Sequence, residues 1–219
     1  MEQLSLSGHD CLIRKKGSPA FLIVQCISEM DEPGELPMEE DYLLASLKIT
    51  DWNNQLSPWD APAVFGKEDF GHDAAATLES IEKELLPYLI DHYQLDPQIP
   101  VILGGYSLAG LFSLWSAYQS DVFSGIAAAS PSVWFPDWIC YAESHEIKSE
   151  CVYLSLGDKE EKTKNRTMAT VGKCIRRQHE LLQPIHCILE WNEGNHFQDP
   201  QGRLNKGLSW CMKKLKEKY

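Results

Sequence analysis

Ser107 sits in VILGGYSLAG (residues 101–110), where an apolar run meets two glycines and a helix-forming stretch, LFSLWSAYQ, follows. The pattern is close to G-x-S-x-G, with Ala109 where a second glycine usually stands. Its chemistry would be nucleophilic attack by a hydroxyl. A serine on a sharp strand-to-helix turn takes strained backbone angles, so small residues must flank it, and Gly105 and Ala109 meet that demand. Gly110 adds room where helix and strand approach. Such a turn lifts Oγ clear of the sheet and aims the free N–H of Leu108 at the oxygen of an attacked carbonyl. The helix N-terminus behind it favours the developing negative charge. A phosphate-binding loop is excluded, because no Lys-Ser or Lys-Thr pair follows the glycines.

A hydroxyl is a weak nucleophile until a base takes its proton, so a histidine and an acid must arrive nearby. One known chain order for such a set is serine, then acid after a later strand, then histidine after the last strand. The sequence supplies both in that order. After CVYLSL comes Gly157-Asp158-Lys159-Glu160-Glu161, and after HCILEW comes Asn192-Glu193-Gly194-Asn195-His196-Phe197. Glu160, three residues after Gly157, has the commonest offset for the acid; Asp158 and Glu161 stay open as alternatives. The remaining histidines (His9, His72, His92, His145, His179 and His186) lie on helices, in loops or within a strand, and none follows the last strand as His196 does.

The elements that must position these residues show as short apolar runs alternating with longer amphipathic ones. Strands are expected at Phe21–Ile27, Tyr42–Ile49, Pro100–Gly104, Phe123–Ala128, Cys151–Leu156 and His186–Trp191. Near-continuous apolar runs imply strands buried on both faces, as in a parallel sheet covered by helices. Helices are expected at Ala74–Ile90, Leu108–Gln119, Lys164–Leu182 and Arg203–Lys216. Strand–helix alternation predicts an α/β fold with a mostly parallel sheet flanked on both faces and right-handed crossovers. No repeat, low-complexity tract or Gly/Ser linker divides the chain, so residues 1–219 read as one domain. The stretch Thr50–His72 reads as neither strand nor helix; its aromatics Trp52, Trp59, Phe65 and Phe70 would either fasten the loop or wall a pocket. A second aromatic cluster, Trp134, Phe135 and Trp138, follows the strand at 123–128.

Composition narrows the partners. A chain of 219 residues with 43% hydrophobic and 24% charged residues is an ordinary globular protein that needs no metal or disulfide to hold its core. Its net charge of −12 repels phosphate backbones, so neither nucleic acid nor an anionic membrane is an expected partner. The seven cysteines are odd in number and include no C-x-x-C pair; several fall inside apolar runs. That usage, with no basic and apolar leader at the N-terminus and no apolar run near the ~18 residues of a membrane span, reads as cytoplasmic. No cofactor and no metal are expected, since the histidine and the acidic turn lack metal-ligand spacing.

At these residues the chain resembles the α/β-hydrolase superfamily, and within it the "Putative esterase" family that includes esterase D-like enzymes and siderophore (enterobactin-type) esterases. The resemblance rests on GGYSLAG (104–110), DWNNQLSPW (51–59), SPSVWF (130–135), LSLGDKEE (154–161) and GNHF (194–197). It implies an α/β-hydrolase fold with Ser107 as nucleophile, His196 as general base and acid, and Glu160 or a neighbour orienting His196. Leu108 would supply one oxyanion amide. A second would come from the backbone just past the first core strand, near Ile27–Ser28. About twenty residues separate the strand at 123–128 from CVYLSL, leaving little room for a lid.

The expected reaction is acyl transfer to water from a carboxylic ester or thioester of small to medium size, in a site lined by Tyr106, Trp134, Phe135 and Trp59. Two rivals stand beside it: hydrolysis of another bond, such as a peptide or an S-acyl glutathione, and a non-catalytic member of the fold that binds a small molecule or a partner protein. Oligomeric state is not legible.

Overall fold

Alternate side chains of a buried strand face opposite layers, and the apolar runs use both faces. In the computed structural model, which describes every residue except Met1, Ser7, Glu35, Lys218 and Tyr219, eight strands form one sheet in the order β1-β2-β4-β3-β5-β6-β7-β8. These are β1 (Glu2–Leu6), β2 (His9–Lys16), β3 (Phe21–Ser28), β4 (Tyr42–Ile49), β5 (Val101–Tyr106), β6 (Gly125–Ala129), β7 (Cys151–Gly157) and β8 (His186–Asn192). β1, β2 and β4 pair antiparallel, and from β4 through β3 to β8 every pairing is parallel. The helical elements are α1 (Trp52–Gln55), α2 (Ala74–Ser80), α3 (Leu86–His92), α4 (Leu108–Gln119), α5 (Trp138–Ser144), α6 (Val171–Leu181) and α7 (Pro200–Lys216).

Leu22, Val24 and Cys26 of β3 join a core shared with α2 to α6, while Phe21 and Ile23 point into a second core with Leu204, Leu208, Cys211, Met212 and Leu215 of α7. Helices thus cover both faces of the sheet. β6 is GIAAA because both layers press on it: a Cβ on Gly207 of α7 would lie 3.1 Å from that of Ala127. α4, immediately behind Ser107, is buried from Leu108 to Tyr118, as a helix enclosed on all sides must be.

Several expectations need correction. The apolar run in β8 is not buried on both faces: it is the sheet edge, with Ile188 37% and Trp191 40% exposed. The hairpin of β1 and β2 was not expected, because its pattern is mostly polar and it closes the opposite, antiparallel edge. The helix expected from Lys164 starts at Val171, after a 3₁₀ turn at Met168–Thr170. The helix expected at Ala74–Ile90 runs to His92 and carries a π-helical turn at Ile81–Leu85 between α2 and α3. Between β6 and β7 lies only α5 with its connections.

Candidate active site

The chain enters the sheet's order reversal at β3, which pairs with β4 on one side and β5 on the other. Open α/β sheets bind ligands in the crevice outside the carboxyl ends of the strands at such a point. Ser107 follows the end of β5 there, with φ 60° and ψ −120°. For a non-glycine residue that is a strained conformation, held by its surroundings. Its N–H donates to Ala129 O (3.1 Å), and its own carbonyl accepts from Ser132 N (3.0 Å) and Leu111 N (3.1 Å). The glycine demand is real at Gly105, where a Cβ would sit 2.3 Å from the backbone of Ala109. The SPSVWF segment is therefore a brace for the serine turn.

The side chains meet across three strand ends. Ser107 Oγ lies 3.0 Å from His196 Nε2, and His196 Nδ1 lies 2.7 Å from Glu160 Oε2. Glu160 stands in a short 3₁₀ turn after β7 and is buried, 7% exposed. Its other oxygen, Oε1, accepts from Ser130 Oγ (2.7 Å), the Gly157 amide (2.7 Å) and Arg203 Nη1 (2.8 Å). Burial pushes this carboxyl up, but the bond and charge of His196 and the donors Ser130 and Gly157 outweigh it and hold it below the ordinary range. The alternatives point elsewhere: Asp158 Oδ1 accepts from the Gly194 amide (2.7 Å), and Glu161 pairs with Arg176 (3.3 Å).

Leu108 opens α4, so its amide has no carbonyl one turn earlier to bond. Ile27, at the end of β3, shares with Ser107 and His196 a cavity of about 520 Å³. Tyr106, Trp52, Phe197 and Leu204 line the same space, with Asp31 and Glu32. A second cavity, about 270 Å³, shares His196 and Phe197 with it and is walled by Trp134, Met168 and Val171. Phe197, 84% exposed, stands against the His196 ring at 5.5 Å between centroids.

Trp59 and Phe135, expected as pocket walls, line neither cavity, because they are committed to packing. Trp59 Nε1 donates to Pro136 O (3.0 Å), and the ring stacks edge-on against Phe135 at 5.8 Å, with Phe70 5.1 Å from Phe135 on its other side. The aromatics of the 50–72 loop divide: Trp59 and Phe70 fasten it, and Trp52 faces the Ser107 cavity. Sequence reasoning left Trp52 open between fastening the loop and walling a pocket, did not name Phe197 as a lining residue and missed Arg203 altogether. The position of Phe197 beside His196 was a usable signal for the second of these; nothing local marks Arg203 as different from the other cations of α7. Among the described residues no three His, Cys, Asp or Glu side chains converge as a metal-ligand set, and no helix is long and apolar enough to cross a membrane.

The chain matches the family described as "Putative esterase" over residues 48–186, a span that includes Ser107 and Glu160 and ends before His196. None of the curated proteins compared with it matches in sequence. In structure it is similar to the siderophore hydrolase EstA of Aspergillus nidulans, with a TM-score of 0.69 and 17% identity over 98% of this chain and 93% of that one. It is also similar to EstB of the same organism, with a TM-score of 0.73 and 14% identity over 96% and 92% of the two chains. An IroE-like serine hydrolase of Shewanella oneidensis gives a TM-score of 0.73 and 16% identity over 92% of this chain and 75% of that one. At such identities these likenesses show the fold.

Proposed function

The chain belongs to this esterase family and is an ester hydrolase, and from that premise we propose that Ser107, His196 and Glu160 are its nucleophile, general base and orienting acid. The observation that carries the reading is the continuous line from Ser107 Oγ through His196 (3.0 Å) to Glu160 (2.7 Å). Ser107 attacks the carbonyl carbon of an ester or thioester while Nε2 of His196 takes its proton. Glu160 keeps Nδ1 protonated and stabilises the imidazolium as it forms. The amides of Leu108 and of the backbone at Ile27 receive the oxyanion. His196 then protonates the leaving alcohol or thiol, and water repeats the sequence to release the acid and free Ser107.

The cavity beside Ser107 has room for a small to medium acyl group, and among the described residues its lining includes Asp31 and Glu32 but no Lys or Arg. Neutral acyl groups therefore fit it better than anionic ones. Because two of the similar structures are siderophore hydrolases, a siderophore-type ester belongs in the substrate panel beside simple alkyl and aryl esters and thioesters. All seven cysteines are free thiols, which suits work in a reducing compartment such as the cytoplasm. The test is the initial rate on that panel for wild type and Ser107→Ala. We expect at least one ester to be turned over, and the variant to lose about 10⁴-fold or more in kcat while keeping its fold. Wild-type rates in Ser107→Ala would refute the reading.

A further inference from the structure

Arg203 is 1% exposed, and a buried charge at the edge of an active site needs a reason. Its hydrogen bonds run to every segment that carries a member of the proposed triad. Nη1 donates to Glu160 Oε1 (2.8 Å), to Ser130 Oγ (3.1 Å) and to the hydroxyl of Tyr106 (3.3 Å), the residue before Ser107. Nη2 donates to the carbonyls of Glu193 and Asn195, both at 3.0 Å, in the turn that presents His196. Tyr106 closes the circuit, its hydroxyl donating to the His196 carbonyl at 2.6 Å. Only a planar fork with several fixed donors can hold these groups together; an ammonium cannot reach both the carboxylate and the two turn carbonyls.

We propose that Arg203 is a positioning residue that holds the Glu160 carboxylate and the His196 turn at a fixed separation, leaving Glu160 Oε2 as the single oxygen offered to His196. The inference rests on the reading of Ser107, His196 and Glu160 given above. During turnover His196 gains and loses a proton, so the attraction between it and Glu160 changes at every step. With Oε1 anchored to Arg203, Ser130 and the Gly157 amide, the carboxylate does not follow the imidazole. The other charged groups around it are engaged elsewhere: Asp158 with the Gly194 amide, and Glu161 with Arg176 on α6. Lys159 and Lys162 are exposed beside the second cavity. Arg203 is thus the positive charge in contact with Glu160 from outside the triad.

The experiment compares Arg203→Lys and Arg203→Met with wild type in kcat, KM and the pH dependence of kcat/KM, with folding monitored by near-UV circular dichroism. We expect both variants to lose kcat, on the order of 10²-fold for Arg203→Met, with KM little changed. Arg203→Met should also move the acid limb of kcat/KM upward, because the Glu160–His196 pair that loses a buried cation beside it takes up a proton more readily. Arg203→Lys keeps a charge and should leave that limb nearer its wild-type place. A further readout is the downfield proton resonance of the His196 Nδ1–H, expected to weaken or broaden in both variants. Folded variants with wild-type kcat, acid limb and resonance would overturn the inference. So would loss of activity explained wholly by the unfolded fraction. If instead Ser107→Ala retains activity, the underlying reading fails, and the two failures are told apart by that control.

Discussion

Three carboxylates share the turn after β7, and their side chains part in different directions. Glu160, in the 3₁₀ turn at Glu160–Lys162, is buried against His196, while Asp158 ties down the Gly194 amide and Glu161 pairs with α6. Local sequence could narrow the acid to this turn and not further, because the choice depends on donors at Ser130 and Arg203, distant in the chain. Glu160→Gln should lower kcat by about 10³- to 10⁴-fold, since an amide no longer fixes the imidazole tautomer. The same residue links stability to pH. Its folded-state carboxyl lies below the ordinary value, so its contribution is fully present above the unfolded value of about 4.3 and is lost as pH falls through the folded one. Thermal melts from pH 7 to pH 3 should show wild type losing its margin over Glu160→Gln as the solution is acidified. A margin unchanged across that range would contradict the assignment of Glu160 as a paired, buried carboxylate.

The serine turn was the most legible element, because its requirements are local: an apolar strand, two small flanking residues and a helix. Gly105→Ala should abolish that geometry, since the new methyl would overlap the Ala109 backbone at 2.3 Å. We expect a destabilisation of about 1–3 kcal/mol, read by denaturant titration, and a loss of ester hydrolysis beyond the unfolded fraction. What could not be read was the brace. Ser132 N bonds the Ser107 carbonyl, and a Cβ on Gly110 would stand 3.2 Å from Ala129 O, contacts made across strands β5 and β6. Likewise α5 was invisible, a short helix whose aromatics looked like any other cluster, and α6 begins later than its charged, amphipathic approach suggested.

Across the whole molecule, the central strands were legible because both layers press on them and their apolar runs are nearly continuous. The edges were less so: β1 and β2, mixed in pattern, were not expected, and β8 was expected as a strand but as one buried on both faces, whereas part of its surface meets solvent. The aromatics of the 50–72 loop show the same limit: composition marked them as important without separating Phe70, 3% exposed among Phe65, Trp134 and Phe135, from Trp52 at the Ser107 cavity. Phe70→Ala should cost about 3–5 kcal/mol of stability by denaturant titration, with KM for the folded enzyme close to wild type. A large rise in KM without loss of stability would instead make Phe70 a substrate contact. The fold, the loop packing and the buried Arg203 network all converge on one serine hydroxyl. The most direct test is therefore labelling of the intact protein with a fluorophosphonate, which reacts with activated serines, followed by mapping of the modified peptide. The expected result is stoichiometric modification of Ser107 that disappears in His196→Ala. Well-folded protein that stays unlabelled, or labels equally without His196, would contradict the account.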